Sequence, residues 1–279
     1  MKKNNILAII YDFDGTLAQG NIQENSFLPN LGIEKSDFWN EVKDLAKEHE
    51  MDEINAYMFL LIEKCRNSSR RVSYTKEDIS SHGQEINYFD GVESFFNEIN
   101  QYAKDKFIEL EHYIISSGTK EMIESTSIAK EFKYIYASSF KYDNNSVPVW
   151  PAMAINYTTK TQHIYRINKG IDNVWDNEKI NDFLPEHKRR IPFENMVYVG
   201  DGSTDIPAMK LIKDKGGKSI SVYASKKFDE ESYLKNKQNS ENRLYEGRVN
   251  YITEADYTKE SDLCTIIESI INTKSQEQE

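Results

Sequence analysis

The chain has 279 residues, 38% hydrophobic and 29% charged, a globular balance that excludes a disordered or low-complexity protein. A formal net charge of −11 argues against a nucleic-acid-binding surface, so any bound anion must be held by local features that overcome the global field. The two cysteines, Cys65 and Cys264, stand in no metal-ligand spacing and suit free thiols in a reducing cytoplasm.

The length fits one large domain or a domain with an inserted module. Residues 6–11 form a short apolar run that stops at Asp12, too short for the apolar part of a signal peptide. No stretch is long enough to span a bilayer, and a cytoplasmic location is expected. The run ends abruptly at acidic residues and Gly15, the pattern of a buried parallel strand opening into a crevice. Residues 18–88 read as helical. Phe38, Trp39, Val42, Leu45 and Ala46 form one amphipathic stripe with Ser36 as its N-cap. Ile54, Tyr57, Met58, Leu61, Ile62 and Cys65 form a second, and Thr75 caps a shorter third. After a helix carrying Val92, Phe95, Phe96, Ile99 and Tyr102, a strand is expected at 112–115, with another helix beginning at Met122 and Ile123. Residues 140–150 place a turn-rich centre between aromatic residues, a hairpin pattern. Further strands are expected at 196–199 and 219–223, and further helices at 205–212 and 261–271. Strand–helix alternation implies an α/β fold, a Rossmann-like parallel sheet with helices on both faces. The expected organisation is a core domain of residues 1–17 and 89–272, a helical insert at 18–88, and a frayed tail at 273–279.

Two strand ends carry carboxylates. In Asp12-Phe13-Asp14-Gly15-Thr16 the acids are two apart, so both can face one crevice, and Gly15 allows a sharp turn. In Gly200-Asp201-Gly202-Ser203-Thr204-Asp205, two more arrive at the same sheet edge. Four converging carboxylates call for a hard divalent cation, and Mg²⁺ with oxygen ligands fits. Ser116 and Ser117, at another strand end before a helix, offer hydroxyls and free N–H groups to an anion. Taken alone, each signal has a bland reading as a solvated turn or helix cap; finding the acidic strand end twice favours a site.

The four segments together resemble the haloacid dehalogenase (HAD) superfamily, whose motifs occur here in order between residues 12 and 205. Asp-Phe-Asp-Gly-Thr is similar to motif I, Ile-Ile-Ser-Ser to motif II, and Gly-Asp-Gly-Ser-Thr-Asp to motif IV. The resemblance implies Asp12 as nucleophile and Asp14 as general acid/base. It implies phosphate binding by Thr16, Ser116, Ser117 and Lys160, and Mg²⁺ at Asp12, Asp14, Asp201 and Asp205. Lys160 is preferred as the motif III lysine because Ile164 and Ile167 follow it at helical spacing. Lys169 competes, since the gap from Lys160 to Asp201 is longer than the family's habit and contains Trp175, Pro185 and His187-Lys188-Arg189-Arg190. The helical insert between motifs I and II resembles the cap of the phosphoserine-phosphatase-like branch. The expected activity is hydrolysis of a small phosphomonoester through an aspartyl-phosphate. The alternatives are a phosphotransferase or phosphomutase, or a non-catalytic phosphate-binding regulatory protein; Asp14 speaks against dehalogenation. Arg66, Arg70 and Arg71 are candidates to meet a second anionic group of the substrate. No nucleic acid or membrane partner is expected.

Overall fold

A computed structural model describes residues 5–68, 70 and 72–277. Strand β1 (Ile6–Tyr11) precedes helices α1 (Ile22–Asn25), α2 (Phe27–Leu31), α3 (Lys35–Glu48), α4 (Glu53–Arg66), α5 (Lys76–Ser81) and α6 (Val92–Asp105). Then come β2 (Glu109–Thr119), α7 (Lys120–Ile123), β3 (Phe132–Tyr142), β4 (Pro148–Met153), α8 (Thr159–Lys169) and α9 (Asn177–Asn181). The last third holds β5 (Met196–Gly200), α10 (Ile206–Asp214), β6 (Lys218–Tyr223), α11 (Tyr233–Tyr245), β7 (Tyr251–Glu254) and α12 (Asp262–Gln276). Among the described residues no helix is long and apolar enough to cross a membrane.

The strands make one seven-stranded sheet in the order β4-β3-β2-β1-β5-β6-β7. All neighbours run parallel except β4, which returns antiparallel beside β3. Central strand β1 is apolar throughout because both its faces are covered. Ile9 and Tyr11 pack with Phe95, Phe96 of α6 and Leu263, Ile267 of α12 on one face. Ala8 and Ile10 pack with Ile164, Ile167 of α8 and Met209, Ile212 of α10 on the other. Each fully buried aliphatic side chain of this kind contributes about 1.5–3 kcal/mol. The chain leaves β1 toward β2 on one side and toward β5 on the other, so the crevice at the carboxyl end of β1 is the sheet's topological switch point, where ligands bind in such folds.

Between β1 and α6, the described residues hold helices and no strand. The two connections of this segment lie side by side: Gln19 N donates to Asn87 O at 2.8 Å and Phe89 N to Leu17 O at 3.1 Å. Phe27, Leu28, Phe38, Met58 and Leu61 join the same apolar cluster as Ile9 and Tyr11, so the segment is seated on the sheet's edge. Thr75 caps α5 in a reciprocal capping box with Asp78. The expected hairpin is β3–β4, its turn held by Asp143 Oδ1, which accepts from Asn145 N at 2.8 Å and Val147 N at 2.9 Å.

The structure corrects several expectations. Helix α3 starts at Lys35, one residue before the expected cap Ser36, with Glu34 at the cap position. β2 extends to Thr119, so the helix that carries Met122 and Ile123 is only four residues long. Strands β3 and β7 join the four expected parallel ones. Helix α12 runs through residues 273–276, expected as tail, because Ser275 Oγ donates to Lys106 O at 3.0 Å and Lys274 pairs with Glu277 at 2.8 Å. Gln278 and Glu279 lie outside the described residues.

Candidate active site

Register brings the motifs together. Tyr11 pairs with Ile114 of β2 and with Val199 of β5, and Asp12 N still donates to Val199 O at 2.9 Å. Asp12 is therefore the first side chain past the ladder, held between the ends of two neighbours and only 6% exposed. Its Oδ1 accepts from Phe13 N at 2.8 Å and its Oδ2 lies 2.9 Å from Lys160 Nζ. Lys160, wholly buried at the start of α8, also reaches Asp205 Oδ1 at 2.6 Å. Asp205 in turn accepts from Tyr198 Oη at 2.7 Å and from Gly202 N at 3.0 Å.

Gly15 turns the chain with φ of 72°, and a Cβ there would collide with the Asp201 carboxylate. Thr16 Oγ1 donates to Asp201 Oδ1 at 3.2 Å, so this expected phosphate ligand is engaged with a carboxylate. Asp14 accepts the N–H of Ile22, at the start of α1, at 2.8 Å. Its other oxygen faces Gly118, where a Cβ would come within 2.7 Å of it. Ser116 Oγ is fully buried and accepts from Gly118 N at 3.0 Å. Ser117 Oγ is buried with no hydrogen-bond partner among the described residues. Its carbonyl accepts from Tyr57 Oη of α4 at 2.6 Å, a bond between the helical segment and the sheet.

Oxygens of Asp12, Asp201 and Asp205 lie within 4.8 Å of one another. The expectation that all four carboxylates converge is thus narrowed, because Asp14 is drawn away toward α1. With all three carboxylates ionised, three hard oxygen donors against one lysine leave a surplus of two negative charges, which a divalent cation such as Mg²⁺ would balance. The electrostatics agree. Burial, then repulsion from Asp205, pushes Asp12 up to about 6 despite Lys160 and the Phe13 N–H. Burial, then Asp205 and Asp12, pushes Asp201 up to about 8. Asp14 is raised well above the usual carboxylate range, first by burial and then by Asp12. The donor set fits the metal, and the chain alone holds these charges at a cost.

Lys169 is elsewhere. Its Nζ donates to the carbonyl of Asp182 at 2.8 Å and to that of Ile180 at 2.5 Å. Arg166, fully buried, donates to the carbonyls of Asn173 at 2.7 Å and Val174 at 2.9 Å. These bonds fold residues 170–195 against α8, which is why Lys160 can be far from Asp201 in sequence and adjacent in space. Arg66 is exposed and pairs with Glu63 at 3.2 Å; Arg70 donates to Pro29 O at 3.2 Å. Neither bonds to a residue of the carboxylate cluster, and Arg71 lies outside the described residues. Three contributors were not singled out from sequence: Tyr57, Tyr198 and Arg243. Arg243 of α11 donates to Asp201 O at 2.6 Å and to Ser221 Oγ at 2.9 Å. A tyrosine beside a motif inside an apolar strand was the available signal for Tyr198; nothing local distinguishes the other two.

The sequence matches the haloacid dehalogenase-like hydrolase family over residues 9–210, from within β1 to the middle of α10. An uncharacterised protein of Borreliella burgdorferi is 28% identical, the alignment covering 94% of this chain and 95% of that one. A substrate-bound phosphoserine phosphatase shares the fold with a TM-score of 0.54 at 16% identity, over 94% of this chain and 97% of that one. A HAD family hydrolase of Salmonella enterica serovar Typhi gives 0.53 at 17% identity, over 81% of this chain, which spans 65% of that protein's length. These structural likenesses carry the fold, and the family match takes in both acidic strand ends and Lys160. The chain belongs to the haloacid dehalogenase-like hydrolases.

Proposed function

We propose that this protein is a Mg²⁺-dependent phosphatase that hydrolyses small phosphomonoesters through an aspartyl-phosphate on Asp12. The observation that carries the reading is the bridge of Lys160 between Asp12 and Asp205, with Asp201 in the same cluster. Asp12, Asp201 and Asp205 would hold the metal, whose charge lets an anionic carboxylate approach an anionic phosphate.

The remaining chemistry belongs to the chain. A carboxylate oxygen of Asp12 attacks phosphorus, and the bond from phosphorus to the leaving oxygen breaks. Asp14, whose burial and the neighbouring Asp12 carboxylate favour the protonated form, gives its proton to that oxygen. A water then attacks the phosphorus of the aspartyl-phosphate and returns a proton to Asp14, which releases inorganic phosphate and restores Asp12. Lys160 and backbone N–H groups near Phe13 supply positive field to the phosphoryl oxygens. Ser116 Oγ accepts from Gly118 N, which leaves its own O–H to donate to those oxygens; Ser117, whose buried hydroxyl has no partner among the described residues, is the second candidate. Thr16, bonded to Asp201, orients that carboxylate. Residues 18–88 act as a cap that excludes water from the crevice, a role supported by the paired connections and the Tyr57–Ser117 bond.

The test is turnover of p-nitrophenyl phosphate with Mg²⁺ and with chelator. Hydrolysis that requires the metal supports the reading; hydrolysis of equal rate in chelator, or none under either condition, contradicts it.

A further inference from the structure

Beside Asp201 lies a cavity of about 710 Å³, far larger than a phosphoryl group needs. Its floor is Gly15 and Asp201; its walls come from the cap connections and from α11, with the loop before it. Arg243 is the one charged side chain on that wall that is at least nine-tenths buried, at 8% exposure. Its Nη1 holds the Asp201 carbonyl and two serine hydroxyls, Ser221 and Ser240. Its Nε and Nη2 donate to nothing among the described residues, and no carboxylate lies within ion-pair distance of the guanidinium.

The wall's carboxylates are differently placed. Glu24 accepts from Trp39 Nε1 at 2.7 Å and from Asn21 at 2.6 Å, and also faces Lys35 at 3.9 Å. Asp229 accepts from Ser232 N at 2.9 Å and from Asn236 at 3.5 Å. Both are used within the wall, and the third wall carboxylate, Glu231, is exposed. The unspent hydrogen-bonding capacity is that of a mostly buried guanidinium whose Nε and Nη2 remain open, planar donors that bind carboxylate or phosphate oxygens in pairs.

We propose that Arg243 and this cavity take a second anionic group of the substrate, so that the preferred phosphomonoester carries a carboxylate or another phosphate on its leaving group. This rests on the phosphatase reading above. It moves the second-anion site from the cap arginines to α11, beyond the region of family match.

The test compares 3-phosphoglycerate with glycerol 3-phosphate, which differ by one carboxylate. In the wild type the carboxylated ester should have a kcat/KM about 10- to 100-fold higher, the range of a charged hydrogen bond. Arg243→Met loosens Asp201 as well and should slow both esters, but only loss of the anion site brings their ratio to near one. Arg243→Lys should retain part of the ratio. Equal kcat/KM for the two esters in the wild type, or an unchanged ratio in Arg243→Met, overturns the proposal. Binding to Asp12→Asn protein, read calorimetrically, gives the same ratio without turnover. A preserved binding preference with no hydrolysis by wild type would fail the phosphatase reading alone, whereas hydrolysis of p-nitrophenyl phosphate with no preference between the esters would fail the Arg243 proposal alone.

Discussion

The two sides of the crevice are built by different physics. On the sheet side, Asp12, Lys160, Asp201 and Asp205 are fixed by strand register and by bonds of 2.6–3.2 Å to one another and their neighbours. On the cap side, α2, α3 and α4 pack through an apolar cluster, and one 2.6 Å bond from Tyr57 reaches the backbone beside the site. Charge is concentrated around Asp12; the cap is held by its apolar cluster, its two connections and a few bonds to the sheet side, among them Ile22 N to Asp14 and Gln23 to Thr119. On the proposed reading the bond-changing groups all lie on the sheet side, so substitutions on the two sides should separate in the size of their effect on turnover.

The sharpest break of that comparison is at the nucleophile. Asp12→Asn should lower turnover by roughly 10³-fold or more, as removal of a covalent nucleophile does. Thermal stability should hold or rise, because a buried, repelled carboxylate has been neutralised; a folded variant with substantial turnover would contradict the role. Next in size, Asp201→Asn should raise the Mg²⁺ concentration for half-maximal activity by at least about 10-fold. An unchanged requirement would remove Asp201 from the metal site.

A pH series probes the same edge without chemistry. In chelator, Asp12 and Asp201 hold protons in the folded protein, to about 6 and about 8, that the unfolded chain releases near 4. Stability should therefore be greatest at the acid end of this window and fall as pH rises from about 4 through 8. Saturating Mg²⁺ should flatten that slope and raise Tm, since it binds the ionised cluster of the folded state. A metal-free Tm that climbs from pH 5 to 8 would mean other groups govern stability there.

The smallest expected effect is on the cap. Tyr57→Phe removes one bond, worth about 1 kcal/mol, and should change kcat/KM by under about 10-fold. A loss on the scale of Asp12→Asn would mean the cap is part of the chemistry after all and would erase the contrast between the two walls.

The same contrast governs what could be read from the sequence. Asp12, Asp14, Asp201 and Asp205 stand out because an acidic pair ending an apolar strand is a poor local choice that needs a reason. The sheet's centre was legible for the same reason, since β1 and β5 are unbroken apolar runs. β3 was not, because Lys133, Ser138, Ser139 and Lys141 interrupt it and its hydrophobic residues serve one edge of the sheet. Asp14's departure from the carboxylate cluster depends on where α1 starts, a tertiary fact. Arg166 looks like a solvated helix residue and Lys169 like a rival motif III lysine; only the folded loop at 170–195 reveals them as its anchors. Arg243 sits some forty residues past the last motif, and only the packing of α11 brings it to Asp201.

The central claim is that phosphate passes through Asp12. Protein mixed with a phosphomonoester and Mg²⁺, quenched in acid within one turnover and digested, should yield a peptide containing Asp12 with one added phosphoryl group that hydroxylamine removes. Turnover by the same sample with no modified peptide at any quench time, or with the phosphoryl group on a different residue, would contradict it.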